Sequence, residues 1–122
     1  MFQILSFTKE DIVALRVSGK VSAEDYKKVQ PLLQKTVKDF GEIDLYIEMD
    51  HVEGIKPAAM WEDFKTYFSY VNRIRAVAVV GEDNWSKTLS GLIKPFIKGP
   101  VKYFTADDSL KAKKWIDQQR SG

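Results

Sequence analysis

The side chains best suited to chemistry in this chain fall in two short acidic stretches, Asp50-His51 with nearby Glu53, and Glu82-Asp83-Asn84. Each follows an apolar run that reads as a buried strand, Leu45 to Asp50 in one case and Ala76 to Gly81 in the other. Both stretches therefore lie at the mouth of a sheet, where open α/β sheets usually hold ligands. A histidine beside carboxylates can act as a general base, and Asp50, His51 and Asp83 together could support weak hydrolysis or hold a metal. The competing reading is structural. Acidic loop residues cap helices and keep loops hydrated, and Asp83 or Asn84 is a natural cap for the helix that follows. Composition narrows the choice: there is no cysteine, His51 is the only histidine, and neither Gly54 nor Gly81 belongs to a phosphate-cradling glycine pattern. Catalysis that needs a strong nucleophile is disfavoured. The expectation is a protein that is not an enzyme, has no metal site and uses no cofactor.

These stretches are positioned by a regular alternation of strands and helices. Phe2 to Phe7 and Ile12 to Ser18 form an opening hairpin across the polar turn Thr8-Lys9-Glu10-Asp11, near a sheet edge. In its second run Val13, Leu15 and Val17 face the core while Arg16 points away. Ser22 and Asp25 resemble a capping box for a helix over about Ala23 to Asp39, with Tyr26, Val29, Leu33, Val37 and Phe40 at helical spacing and Gly41 as its stop. The strand Asp44 to Asp50 leads into the loop His51 to Lys56, and Pro57 suits the first turn of the next helix, about Ala58 to Asn72. On a helical wheel Met60, Trp61, Phe64, Tyr67, Phe68 and Val71 fall within about 120° of one another, an ordinary core stripe, whereas Tyr70 lies off it.

The fourth strand runs from Arg73 to Gly81. A third helix follows with Trp85, Leu89, Leu92 and Phe96 at core spacing, disturbed at its end by Lys94-Pro95. After the break at Gly99-Pro100 comes the short strand Val101 to Phe104. Thr105 then caps a last helix, about Ala106 to Gln119, with Ala112, Trp115, Ile116 and Gln119 inward and Ser121-Gly122 fraying. The order β-β-α-β-α-β-α-β-α predicts an α/β fold: a central, mostly parallel sheet of about five strands with one antiparallel edge strand, packed by four helices. Residues 1–122 read as one domain.

Charge and hydropathy restrict the partners. Net charge is +2, but residues 1–83 carry 11 Lys and Arg against 14 Asp and Glu, net −3, whereas residues 84–122 carry 8 against 3, net +5. The basic end, from Lys87 to Arg120, could attract anions, although lysines commonly line solvated helix faces. Aromatics interleave with lysines at Lys94-Pro95-Phe96-Ile97-Lys98 and Lys102-Tyr103-Phe104, yet the core needs those rings and no base-reading motif is present, so nucleic acid is disfavoured. No apolar run approaches the roughly 20 residues of a membrane-spanning helix. The N-terminus lacks the pattern of a signal peptide, and a cytoplasmic location is expected.

Several local strings carry a family likeness: Val17-Ser18-Gly19-Lys20-Val21-Ser22 with Asp25-Tyr26, Trp61-Glu62-Asp63-Phe64, Val79-Val80-Gly81 followed by Trp85, Lys94-Pro95-Phe96, and Val101-Lys102-Tyr103-Phe104. With the order of elements, they make the chain resemble the SpoIIAA-like branch of the STAS domain fold, whose relatives include bacterial anti-anti-sigma factors and cytoplasmic domains of sulfate transporters. The resemblance covers essentially the whole chain. It implies a regulatory module that works through protein association. In the anti-anti-sigma relatives a serine at the start of the helix after the third strand is phosphorylated; here Glu53-Gly54-Ile55-Lys56-Pro57-Ala58-Ala59 offers no hydroxyl, and Lys56 reverses the sign that a phosphate would bring.

The functional expectation is therefore a non-enzymatic interaction module without the usual phosphoserine switch, its partner a protein of unknown identity or a second copy in a homodimer. The residues expected to make that contact are His51, Glu53, Lys56, Glu62 and Tyr70. The alternative is binding of a small apolar or anionic ligand, lipid or nucleotide-like, walled by Trp61, Trp85 and Phe96 near the strand mouths.

Overall fold

Strand β2 (Ile12–Lys20) is buried on both faces: Val13, Leu15 and Val17 contribute to one apolar cluster, Ile12 and Ala14 to another. A strand of that kind needs cover on both sides, and the computed structural model, which describes the backbone of residues 1–121 and the side chains of residues 1–119, supplies it. The expected fraying at Gly122 and the Arg120 and Ser121 side chains lie outside the described residues. The other strands are β1 (Phe2–Ile4), β3 (Ile43–Glu53), β4 (Ile74–Val80) and β5 (Val101–Phe104). They form one five-stranded sheet in the order β1-β2-β3-β4-β5, with β1 antiparallel to β2 and all other pairs parallel. Helices α1 (Ala23–Phe40), α2 (Pro57–Tyr67) and α3 (Asn84–Ile93) pack on one face through Tyr26, Val29, Leu33, Met60, Phe64 and Leu89. Helix α4 (Ser109–Ser121) covers the opposite face through Ala112 and Ile116.

The mixed five-stranded sheet with one antiparallel edge strand and four helices agrees with the pattern expected from sequence, and the differences lie at element ends. β1 stops at Ile4 because the chain then folds back on itself, with the Leu5 amide donating to the Ala14 carbonyl and the Thr8 hydroxyl accepting from the Ala14 amide. Arg16 does point away from the α1 side, but it is half-buried on the α4 face rather than free in solvent. β3 runs on through His51, Val52 and Glu53, which were expected in a loop, because β2 pairs with it as far as Lys20 after a bulge at Ser18/Gly19.

α2 ends at Tyr67 rather than Asn72: Phe68 turns extended and drops into the core, and the Gln30 side-chain amide donates to the Tyr67 carbonyl at 2.7 Å. In α3 the inward residues are Leu89 and Ile93. The tight 3₁₀ turn at Lys94–Phe96, set by Pro95, swings Phe96 out to 47% exposure and brings Ile97 into the core, while Leu92 is only half-buried. Phe40, expected on the inner face of α1, is also exposed, at the last turn of its helix. Thr105 makes no side-chain cap; a 3₁₀ turn at Ala106–Asp108 intervenes before α4 begins.

Helix α1 begins with the expected capping box, the Ser22 amide donating to Asp25 at 2.8 Å. It ends at Gly41, whose left-handed backbone (φ 80°) allows its amide to reach the Val37 carbonyl at 2.7 Å. Pro31 sits inside this helix on its exposed side. It has no amide to donate to the preceding turn, and the helix passes through it because neighbouring Val29 and Leu33 are anchored in the core.

The sheet is tied at its lower end by Arg75. Its guanidinium grips Asp44 in a two-point contact, at 3.0 and 2.7 Å, and also meets Asp11 at 2.9 Å and Glu42 at 3.4 Å. Asp44 is 0% exposed. The hydrogen bonds to Asp44 are the main reason that the guanidinium is held even more firmly protonated than usual.

Two outcomes follow for stability. Arg75→Ala removes the guanidinium that faces a buried carboxylate and should cost about 3 kcal/mol in urea-induced unfolding, whereas replacing Arg75 and Asp44 together with apolar residues should recover much of that loss. At Asp25, burial pushes the carboxyl pKa up, but the Ser22 amide, the Met1 ammonium and further hydrogen bonds outweigh it and hold the group below its ordinary 3.8. A depressed carboxylate contributes stability above its unfolded pKa and loses it as pH falls through the folded value. The stability advantage of the wild type over Asp25→Asn should therefore be full at neutral pH and shrink below about pH 4, measured by urea unfolding across that range.

Candidate functional site

α2 is the element around which the expected interaction residues are arranged. Its N-cap position is Lys56, which makes no side-chain cap; Pro57 fills the first helical position, and Met60, Trp61 and Phe64 recur at spacings that put them on the sheet side. From Phe96, which packs beside the middle of α2, a series of ring contacts runs along the helix and beyond its C-terminal end. Phe96 meets Trp61 edge-on at 5.6 Å, Trp61 stacks on Phe64 at 5.6 Å, Phe64 meets Phe68 at 5.7 Å, and Phe68 meets Tyr70 at 6.1 Å. The interior of the series is buried, but its two ends are open: Phe96 is 47% and Tyr70 45% exposed. Lys65 bends over the Phe96 end, its ammonium 4.1 Å from that ring centroid and 2.8 Å from Glu62.

The five expected contact residues are all exposed, but they do not share one spot. His51 and Glu53 occupy the end of β3, Lys56 the start of α2, Glu62 its middle, and Tyr70 the segment beyond its far end. Lys56, Glu62 and Tyr70 follow α2 and the segment beyond it, whereas His51 lines a cleft at the strand mouths, so the five do not form one surface. Sequence reasoning did not single out Lys65. The available signal was its place one turn after Trp61, which aims a long cationic stem along an aromatic stripe.

The residues proposed as ligand walls separate. Trp61 is buried and, with Met60, Phe64, Leu45, Leu89 and Ile93 among others, lines an apolar cavity of about 20 Å³, room for about one water molecule. Trp85 is half-buried with its indole N–H donated to the Ile55 carbonyl at 2.9 Å, and Phe96 faces outward. Two buried donors beside α2 have no hydrogen-bond partner among the described residues: the Trp61 indole N–H and the Tyr26 hydroxyl. Tyr26 stacks on Tyr67 at 5.1 Å, and burial is the main cause of its raised pKa.

The acidic stretches border a separate cleft of about 360 Å³ on the α4 face, lined by Arg16, Glu48, Asp50, His51, Glu82 and Asp83 together with the start of the last helical segment. Most of these groups are already engaged. Asp83 caps α3, accepting from the Ser86 amide at 3.1 Å, as its position before the helix suggested. Glu82 accepts from the Ala106 amide at 3.2 Å. Asp50 lies 2.7 Å from His51 Nδ1, in a side chain 96% exposed on a residue with positive φ (54°). Among the described residues no three His, Cys, Asp or Glu side chains converge as a metal shell requires. The floor of the cleft is a pair that local sequence could not reveal: Arg16 donates to Glu48 at 3.0 Å, and Glu48 also accepts from the Tyr46 hydroxyl at 2.6 Å. Only the register that places Arg16 opposite Glu48 brings them together.

The sequence model of the SpoIIAA-like family matches residues 12–117. No curated protein matches the chain. Among solved structures, the chain is similar to an uncharacterized protein of the DUF3478 family with a SpoIIAA-like fold from Shewanella loihica PV-4, with a TM-score of 0.72 and 24% identity over 94% of this chain and 93% of that one. That likeness bears on the fold.

A buried hydroxyl without a partner costs stability, so Tyr26→Phe should leave the fold intact and raise its unfolding free energy by up to about 1 kcal/mol. Thermal and urea unfolding followed by tryptophan emission would measure the change.

Proposed function

Because this chain belongs to the SpoIIAA-like family, we propose that it acts as a regulatory module through association with a protein partner and without catalysis of its own. The observation that carries the reading is the ring series along α2, closed in the middle and exposed at Phe96 and Tyr70. Aromatic side chains set in a rigid framework are the usual anchors of protein interfaces, since they bury much area with little loss of freedom. Here the framework is the core itself, because each exposed ring leans on a buried one. Lys56, Glu62 and Lys65 lie along the same side and would form the polar rim. Glu53, at the end of β3, would extend that rim beyond the start of the helix, whereas His51 lines the cleft at the strand mouths.

The association does not depend on a phosphorylated hydroxyl in the β3–α2 connection, since Glu53 to Ala59 contains neither serine nor threonine. The partner is a protein of another kind or a second copy of this chain. A cytoplasmic setting in a bacterium fits this reading, and among the described residues no helix is long and apolar enough to cross a membrane.

The second reading, an apolar ligand held under α2, is favoured by one observation: the apolar cavity beside Trp61. Its volume of about 20 Å³ is far below that of a fatty acid or nucleotide, so a ligand of that size would have to part α2 from the sheet.

Native mass spectrometry on protein drawn gently from the cells that make it tests both readings. The wild type should carry a protein partner or a second copy, and the Lys56→Glu/Tyr70→Ala/Phe96→Ala variant should lose it while keeping its circular dichroism spectrum. A bare wild type at every concentration, or a variant that keeps the partner, overturns the proposal. A small added mass that quenches Trp61 emission would establish the ligand reading in its place.

A further inference from the structure

The side of the molecule away from β1 presents two kinds of unsatisfied group in one place. β5 pairs with β4 alone and ends the sheet. The Val77 amide donates to the Pro100 carbonyl and the Gly81 amide to the Phe104 carbonyl, each at 3.0 Å. Backbone polar groups alternate sides along a strand, so the amides and carbonyls of Val101 and Tyr103 face outward, where no further strand lies. Such an edge is a template for an added strand.

Exposed cations lie at its start, while the nearest acids, Glu82 and Asp83, act on Tyr103 toward its other end. Lys98, just before the strand, and Lys102, within it, are exposed. Among the described residues neither has a carboxylate within 4.0 Å; the Lys102 ammonium rests 5.2 Å from the Phe104 ring instead. Lys98 also joins Arg73, likewise exposed and without a carboxylate partner among the described residues, in walling an open groove of about 540 Å³ at the start of β4 and β5. The acid in that groove, Glu42, is turned to Arg75. The strong positive balance of residues 84–122 therefore surfaces, in part, as free cations along an unpaired strand.

From this juxtaposition we infer that the outer edge of β5 accepts an extended acidic segment of a partner protein, whose backbone continues the sheet and whose carboxylates meet Arg73, Lys98 and Lys102. A second copy of the chain is a poor occupant. Two β5 edges related by a twofold axis would set lysines against lysines, and the opposite edge, β1, offers Phe2, Gln3 and Ile4 and no acid. Lysines on an edge strand usually guard it against indiscriminate pairing; here they also select what can pair. Arg73 follows Tyr70 by three residues and Lys98 follows Phe96 by two, so the Lys98→Glu/Lys102→Glu variant used here leaves both rings in place, and its failure is separable from failure of the association proposed above.

The probe is a short fluorescein-labelled peptide alternating glutamate and valine, with a lysine-valine peptide as control. The full chain should bind the acidic peptide and ignore the basic one, and binding should weaken steeply with added salt. The double variant Lys98→Glu/Lys102→Glu should lose about tenfold or more in affinity while retaining its fold by circular dichroism. Bound peptide should slow hydrogen exchange at the Val101 and Tyr103 amides in particular. No binding, binding that the double variant retains, or binding without protection of those two amides overturns the proposal. So does charge-dependent binding to phosphatidylglycerol-containing vesicles, or to an oligonucleotide, in preference to the peptide.

Discussion

A fully buried carboxylate at the start of the central strand is the constraint on which the rest of this structure hangs. Asp44 has no solvent to stabilise its charge, and a lone buried carboxylate would be severely costly. Arg75 supplies the counter-charge in two parallel hydrogen bonds, and since it belongs to β4 it also sets β3 against β4 at a register irregularity between Ile43 and Asp44. Every residue above that point inherits the alignment. It is the reason that Ile47 pairs with Val79 and Glu48 with Val80, and that the two acidic stretches emerge side by side at the opposite end of the sheet. Gly99 belongs to the same arrangement. Its backbone lies so close to the Arg75 carbonyl that a Cβ would collide with it, which brings the connection before β5 tight against β4.

The two faces of the sheet are closed by different means. Three helices bury a large apolar surface on one side, and the aromatics of α2 fill it densely. On the other, α4 with Leu5 and Phe7 of the β1–β2 connection covers Ile12, Ala14, Tyr46, Ala76 and Ala78, which leaves the upper part of the face to the Arg16–Glu48–Tyr46 chain. A polar floor suits an uncovered stretch of sheet, because paired charges tolerate water where an apolar row would not. The cleft at the strand mouths is thus a consequence of one helix packing mainly over β3, β4 and β5. Its acids are largely occupied with capping and pairing.

Elements were legible from sequence where periodicity and local chemistry agreed. Val13, Leu15 and Val17, the Ser22–Asp25 box, Gly41 and Pro57 each carry their signal within a few residues, and each lies where that signal placed it. Ends failed where a distant residue decided the matter. α2 stops at Tyr67 because Gln30 of another helix takes its carbonyl, and β3 continues past Asp50 because β2 is there to pair with it. Phe96 is misplaced by helical spacing that assumes one pitch, whereas Pro95 tightens the turn. Tyr70 is legible as an exposed ring, since it lies off the core stripe of α2, but Phe96, Lys65 and the shape of the surface are not. Nothing local to Phe96 or Tyr70 reveals that a chain of rings joins them.

The strand order has a further meaning for the way this chain comes together. Strands are laid down in the sheet in the same sequence in which they leave the ribosome, so each βα unit can dock on an edge that already exists, without waiting for a distant piece to arrive. One layer departs from that schedule. The row formed by Ile12, Ala14, Tyr46, Ala76 and Ala78 has Leu5 and Phe7 against it from the β1–β2 connection, but Ala112 and Ile116 complete its cover only after β5 has been made. Until then part of this apolar face of the sheet is open to the surroundings of the nascent chain. Its most vulnerable moment for misassembly or capture by chaperones is the interval just before α4 closes.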